Sequence, residues 1–231
     1  MKSKILISTG GSGGHVIPAI TMHDHLKENY EILISSDIRG LKYLDDKFYK
    51  TLIIDTPKLN NFILLPLSIL KVIFLTLKSV ILLKKEEIQI LISTGGYMSL
   101  PLCIAARILN IKIYLLEPNM VIGRANKFFL KFCKKIICYA ENIIGFPKEY
   151  KYKLKITNPL IRKKYYNKKL IENDNDKFTL IIIGGSQGAK IFDEILHESI
   201  IKVSQFKTLK VIHQTNQKNI DNLKNLYLEN K

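Results

Sequence analysis

Cysteine is scarce in this 231-residue chain: Cys103, Cys133 and Cys138 are all it has. An odd count without a C-x-x-C pair excludes a disulfide framework and a zinc knuckle, and leaves buried free thiols in a reducing compartment. Arginine is scarcer than the charge suggests. Lys and Arg total 36 against 20 Asp and Glu, a formal charge of +16, yet Arg39, Arg107, Arg124 and Arg162 are the only arginines. Lysine, isoleucine and asparagine, all with A/T-rich codons, are heavily used, so much of the charge reads as compositional drift that solvates the surface. A nucleic-acid binder clusters arginine with aromatics that stack on bases. These lysines are spread along the chain, and no nucleic-acid partner is expected. Met1 to Ser8 is not expected to be a signal peptide: it is a short apolar strand pattern running straight into glycines, without an h-region or cleavage site.

The composition that remains, 47% hydrophobic and 24% charged, is that of an ordinary globular protein of one or two domains. Short apolar runs alternate with longer amphipathic ones, the mark of βαβ units around a parallel sheet. Strands are expected near Lys4–Ser8, Glu31–Ser35, Thr51–Asp55, Ile88–Ser93, Lys112–Leu116, Lys135–Tyr139 and Leu154–Thr157. Helices fit at His15–Glu28, Ser99–Leu109 and Gly123–Cys133. A first domain over 1–158 is followed by a polar linker, 159–177, and the pattern restarts in a second domain, 178–231. There, strands Phe178–Ile183 and Leu209–His213 alternate with helices Gly188–Val203 and Asn216–Leu228. Two parallel strands leave an open sheet edge and a small core, so this second domain reads as incomplete.

Phe62–Leu83 is apolar enough in length to cross a bilayer, for which roughly 20 residues suffice. Pro66 interrupts it, however, and Lys71 and Lys78 fall on one helical face; each would cost roughly 2.5–3.5 kcal/mol at a bilayer centre. A helix lying in the membrane interface, or a core helix with exposed lysines, fits better.

Glycine-rich turns between strand and helix let an anion approach unpaired N–H groups at a positive helix end. Gly10-Gly11-Ser12-Gly13-Gly14 makes one such turn and Gly184-Gly185-Ser186-Gln187-Gly188 another. Neither continues as G-K-[ST], and neither fits G-x-G-x-x-G. A dehydrogenase reading also lacks an acidic residue closing the second strand, Asp37 being the nearest. His15 follows the first turn at a helix start, where the dipole favours neutral imidazole. It is either a general base or a cap for its own loop. Thr94-Gly95-Gly96-Tyr97 and Leu116-Glu117-Pro118-Asn119 follow the fourth and fifth strands. Ligands of open parallel sheets bind outside the carboxyl ends of the strands, which brings Glu117 and Asn119 near His15. Glu117 is equally well read as a buried glutamate bonding its own loop. His23 and His25 lie on different faces of one helix, Asp174-Asn175-Asp176 sits in the linker, and no metal site is expected.

Taken in order, G-G-S-G-G-H-V-I-P-A, S-T-G-G-Y-M-S-L-P, L-E-P-N-M-V-I-G-R-A-N-K, T-N-P-L-I-R and G-G-S-Q-G-A resemble the MurG family. Its members transfer N-acetylglucosamine from UDP-N-acetylglucosamine to lipid I, forming lipid II in bacterial peptidoglycan synthesis. The resemblance runs from Lys4 to about Leu228. It implies an α/β GT-B architecture: two Rossmann-like doubly wound domains flanking a cleft, the second incomplete here, and no metal or other cofactor. It places Ser12, Gly13 and Gly14 at the first substrate loop and Asn119, Arg162 and Ser186 on the sugar nucleotide. His15, or else Glu117, becomes the base that deprotonates the acceptor hydroxyl in an inverting displacement. Phe62–Leu83 corresponds to the family's membrane-docking face, which implies peripheral contact with the anionic cytoplasmic face of the cell membrane. Family chains continue well beyond the position of Lys231. A chain ending there would be a truncated or split enzyme, needing a separate chain for the rest of the donor domain, or an inactive membrane-surface scaffold derived from one.

Overall fold

The computed structural model describes residues 2–45, 47–57, 65–166, 178–184 and 190–229. The chain forms two compact units, Met1–Lys168 and Lys169–Lys231. In the first, seven parallel strands make one sheet: β1 (Lys4–Ser8), β2 (Glu31–Ser36), β3 (Thr51–Ile53), β4 (Ile90–Ser93), β5 (Lys112–Glu117), β6 (Lys135–Cys138) and β7 (Leu154–Ile156). Their order is β3-β2-β1-β4-β5-β6-β7. Three adjacent strands, β2, β1 and β4, carry the same tetrapeptide, Ile-Leu-Ile-Ser, in register: Ser8 lies beside both Ser35 and Ser93, and Leu6 beside both Leu33 and Leu91. Side chains alternate across a strand. The leucines therefore enter one core with Leu102, Leu115 and Phe129, while Ile5, Ile7 and Ile32 enter another with Ala19 and Met22. Near-continuous apolar runs are what a parallel sheet covered on both faces requires.

Chain order reverses between β1 and β4, so the loops leaving these two strands part at the sheet's carboxyl edge. That is the switch point where such sheets take ligands. Helices α1 (Gly13–Leu26), α2 (Ile38–Leu41), α3 (Leu65–Lys85), α4 (Leu100–Ile108) and α5 (Arg124–Phe129) complete the unit. Several boundaries fall short of the sequence expectation, among them β3 ending at Ile53, α5 at Phe129 and α1 at Leu26, and β4 beginning at Ile90. The short α2 was not expected; Asp37 caps it, accepting the Gly40 N–H.

Helix α3 packs along α4 with an unusual division of faces. Thr76, Ser79 and Leu83 are buried. The two hydroxyls are satisfied within the helix, Thr76 donating to the Val72 carbonyl at 2.8 Å and Ser79 to the Leu75 carbonyl at 2.7 Å. The outward face carries Leu70, Phe74, Leu77 and Ile81, between 55% and 67% exposed. Lys78 stacks over Phe74 at 4.6 Å, and Lys71 pairs with Asp55 at 3.9 Å. The helix is long and apolar enough to cross a bilayer, but one face is occupied by α4. Leucines that a core helix would bury therefore point outward. The first three residues of the expected segment, 62–64, lie outside the described residues.

The second unit pairs β8 (Phe178–Ile182) in parallel with β9 (Leu209–His213) and adds α6 (Lys190–Ser204) and α7 (Ile220–Glu229). Its polar anchor is Asp193, which accepts from Thr215 Oγ1 at 2.6 Å and Asn219 Nδ2 at 2.7 Å and faces His213 Nε2 at 3.3 Å. Burial pushes its pKa up, but these donors and His213 outweigh that and hold it below the usual range.

Candidate active site

At the switch point Thr94 Oγ1 donates to Thr9 Oγ1 at 2.9 Å, joining the ends of β1 and β4. Gly10 and Gly11 then turn the chain with φ of +149° and +75°. A Cβ on Gly10 would stand 2.6 Å from Asp37 Oδ1, so only glycine fits there. Asp37, 1% exposed, holds the turn from across the sheet. Its Oδ1 accepts Gly11 N–H at 2.7 Å and Gly40 N–H at 3.0 Å, and its Oδ2 accepts Arg39 Nε at 2.9 Å and Nη2 at 2.7 Å. Burial alone would raise the Asp37 pKa; Gly11, Arg39 and Gly40 together keep it below the usual carboxylate range. A carboxylate so engaged has nothing left for a ribose, which removes the dehydrogenase alternative. It also takes one of the N–H groups expected to meet an anion, leaving those of the first turn of α1, at Gly13 and Gly14, ahead of the helical ladder. Ser12 is the N-cap residue, and its side chain makes no cap bond.

His15 reaches over the second Gly-Gly turn, its Nδ1 2.7 Å from the Thr94 carbonyl oxygen. A carbonyl only accepts, so Nδ1 carries the proton, and in the neutral ring the lone pair belongs to Nε2. The ring's bond goes to a residue 79 positions away rather than to its own loop, so His15 is not the cap of that loop. His15 lines a cavity of about 560 Å³ together with Tyr97, Glu117, Asn119, Arg124 and Phe128, among others.

Glu117 is placed beside His15 as expected, but the sequence expectation of a base role for it is corrected by its bonding. The residue is 2% exposed. Its Oε1 accepts Asn119 N–H at 3.2 Å and Nδ2 at 3.0 Å, and its Oε2 accepts Gly123 N–H at 2.8 Å and Asn126 Nδ2 at 3.0 Å. Four donors fill the four lone-pair directions of a carboxylate. Glu117 fixes the loop from 118 to 126 and is not poised to accept a substrate proton. Asn126 was missed by sequence reasoning, although it lies in the quoted L-E-P-N segment. It is buried, also donates to the Leu116 carbonyl at 3.1 Å, and its Oδ1 has no partner among the described residues.

Arg162 lines a different cavity, of about 410 Å³, with His23, Tyr49 and Lys163 along the C-terminal half of α1. Arg162 and Asn119, both expected on the sugar nucleotide, line different cavities. The segment is pinned there by Lys163 on Glu28 at 2.6 Å and by His25 Nε2 on the Ile161 carbonyl at 2.9 Å. Ser186 lies outside the described residues. Among the described residues no three metal-ligating side chains cluster.

Fold and site together define a class: a doubly wound, parallel α/β domain with a cavity at the carboxyl ends of β1, β4 and β5. A family model described as "Glycosyltransferase family 28 N-terminal domain" matches residues 5–138, and the chain belongs to that family. It is 50% identical over 98% of its length to "UDP-N-acetylglucosamine--N-acetylmuramyl-(pentapeptide) pyrophosphoryl-undecaprenol N-acetylglucosamine transferase" of Pelagibacter ubique, spanning 64% of that protein. It is 34% identical over 98% of its length to the protein of the same name from Rickettsia canadensis, spanning 65% of it. The crystal structure of Acinetobacter baumannii MurG has the same fold, with a TM-score of 0.74 at 23% identity, over 99% of this chain and 65% of that one. The fold is therefore the α/β, GT-B type expected from sequence.

Proposed function

We propose that the chain serves in an inverting transfer of N-acetylglucosamine from UDP-N-acetylglucosamine to lipid I, giving lipid II, and that its first unit binds the acceptor. The tautomer of His15 carries this reading. With Nδ1–H committed to Thr94, the neutral ring keeps its acceptor lone pair on Nε2, and His15 lines the cavity, as deprotonation of a sugar hydroxyl requires. N–H groups of Gly13 and Gly14 then oppose phosphate charge at the helix start, with Ser12 beside them, and Asn119 lines the His15 cavity. The part of donor recognition carried by this chain is assigned to Ser186 and its glycine-rich turn. No metal is needed for this chemistry.

The outward face of α3 supports peripheral attachment to the cytoplasmic face of the cell membrane. Its leucines enter the acyl boundary while Lys71 and Lys78 meet anionic headgroups. The remaining donor-side contacts are assigned to the portion that the longer relatives have and this chain does not span. The test is transfer from labelled UDP-N-acetylglucosamine to a lipid I analogue, with that portion of the Pelagibacter ubique relative added. His15→Ala should lower turnover about 10²–10⁴-fold, the range for a lost general base. Unchanged turnover would remove His15 from the chemistry.

A further inference from the structure

Lysine is the default cation of this chain, so each arginine marks a place where lysine will not serve. Arg39 grips Asp37 with two donors and stacks on Tyr97 at 5.2 Å; Arg107 lies over Phe132 at 5.2 Å. Arg124 has no such internal role. It is exposed at the start of α5, has no hydrogen-bond or ion-pair partner among the described residues, and lines the His15 cavity. Among the described lining residues it is the one Lys or Arg, and the one carboxylate there, Glu117, is filled by loop donors. The free charge of the cavity is positive. Phe128 stands one helical turn further on the same face of α5, lines the same cavity, and is 55% exposed. Met120 and Val121, on the loop leading into the helix, are also exposed. An anion site followed directly by an apolar surface fits a phosphate group carried on a hydrocarbon chain.

We propose that Arg124 binds the diphosphate of the lipid-linked acceptor and that Phe128 covers the first stretch of its chain. This rests on the acceptor reading given above. The guanidinium presents parallel N–H donors to phosphate oxygens, a geometry an ammonium does not reproduce.

The test is calorimetric titration of the full 231-residue chain with farnesyl diphosphate, farnesol and inorganic pyrophosphate, alongside co-sedimentation with phosphatidylglycerol vesicles. Arg124→Gln should weaken farnesyl diphosphate about tenfold to a hundredfold, as for lost charged hydrogen bonds, and Arg124→Lys should recover only part of this. Phe128→Ala should weaken farnesyl diphosphate and leave pyrophosphate unchanged. Vesicle binding should survive Arg124→Gln. Equal farnesyl diphosphate binding by parent and Arg124→Gln, with transfer still dependent on His15, overturns this proposal alone. Loss of vesicle binding with diphosphate binding intact also overturns it and assigns Arg124 to a membrane headgroup. No farnesyl diphosphate binding by the parent overturns both this proposal and the acceptor reading.

Discussion

His15 and Glu117 stand at the same carboxyl edge of one sheet, yet their hydrogen bonds give them opposite chemistry. One bond to the Thr94 carbonyl leaves His15 a free lone pair, whereas four donors leave Glu117 none. Sequence could bring both to the carboxyl edge but could not count their partners, because Thr94 is 79 residues from His15. Asp37 was harder still. Its partner Gly11 is 26 residues away, and in sequence it reads only as a polar residue after a strand. Arg162 was legible as a motif residue but not by its surroundings. Asp37→Asn should lose the paired Arg39 bonds and cost about 1.5–3 kcal/mol, the range for hydrogen bonds to charged groups. Because folding lowers the Asp37 pKa, its contribution is present above the ordinary carboxylate range and lost as pH falls through the lowered native value. Urea midpoints across that acid limb should therefore fall less steeply in Asp37→Asn than in the parent. Parallel slopes would show that Asp37 is not the group that holds the turn.

Helix α3 and the central strands differ in how far their sequences reveal them. Three Ile-Leu-Ile-Ser runs announce buried parallel strands, and the Gly-Gly turns that follow two of them announce a ligand edge. The apolarity of α3 was equally plain, but its orientation was not: the residues facing α4 include Thr76 and Ser79, less apolar than those facing out. Small hydroxyl side chains that satisfy themselves on the preceding turn can be buried cheaply, and this reverses the usual rule for an amphipathic helix. Lys71→Glu with Lys78→Glu should weaken binding to anionic vesicles, since each cation near such a surface contributes about 1 kcal/mol. Leu70→Ser with Leu77→Ser should weaken it further without lowering the thermal midpoint. Vesicle binding equal to the parent in both variants would return α3 to an ordinary surface helix.

The two units differ in what they can bury. The first packs apolar clusters around seven strands, and the described residues of the second form two strands and two helices around the Asp193 anchor. Small cores open more readily, so amide exchange should be markedly faster over 178–229 than in β1, β4 and β5; matching protection would contradict this. The first unit also holds all three thiols buried, with Cys103 and Cys138 pushed up to about 12 by burial, Glu117 adding to the effect at Cys138. Iodoacetamide should therefore label none of them before unfolding. The central claim, that the cavity beside His15 holds a lipid-linked diphosphate sugar, is most directly tested by photo-crosslinking. A lipid I analogue with a diazirine in its prenyl chain would be irradiated with the purified chain in vesicles and the adducts mapped by mass spectrometry. The account expects adducts on α5 and its preceding loop, around Met120, Val121 and Phe128, competed away by unlabelled analogue; competed adducts confined to the Arg162 cavity or to 178–229 would contradict it.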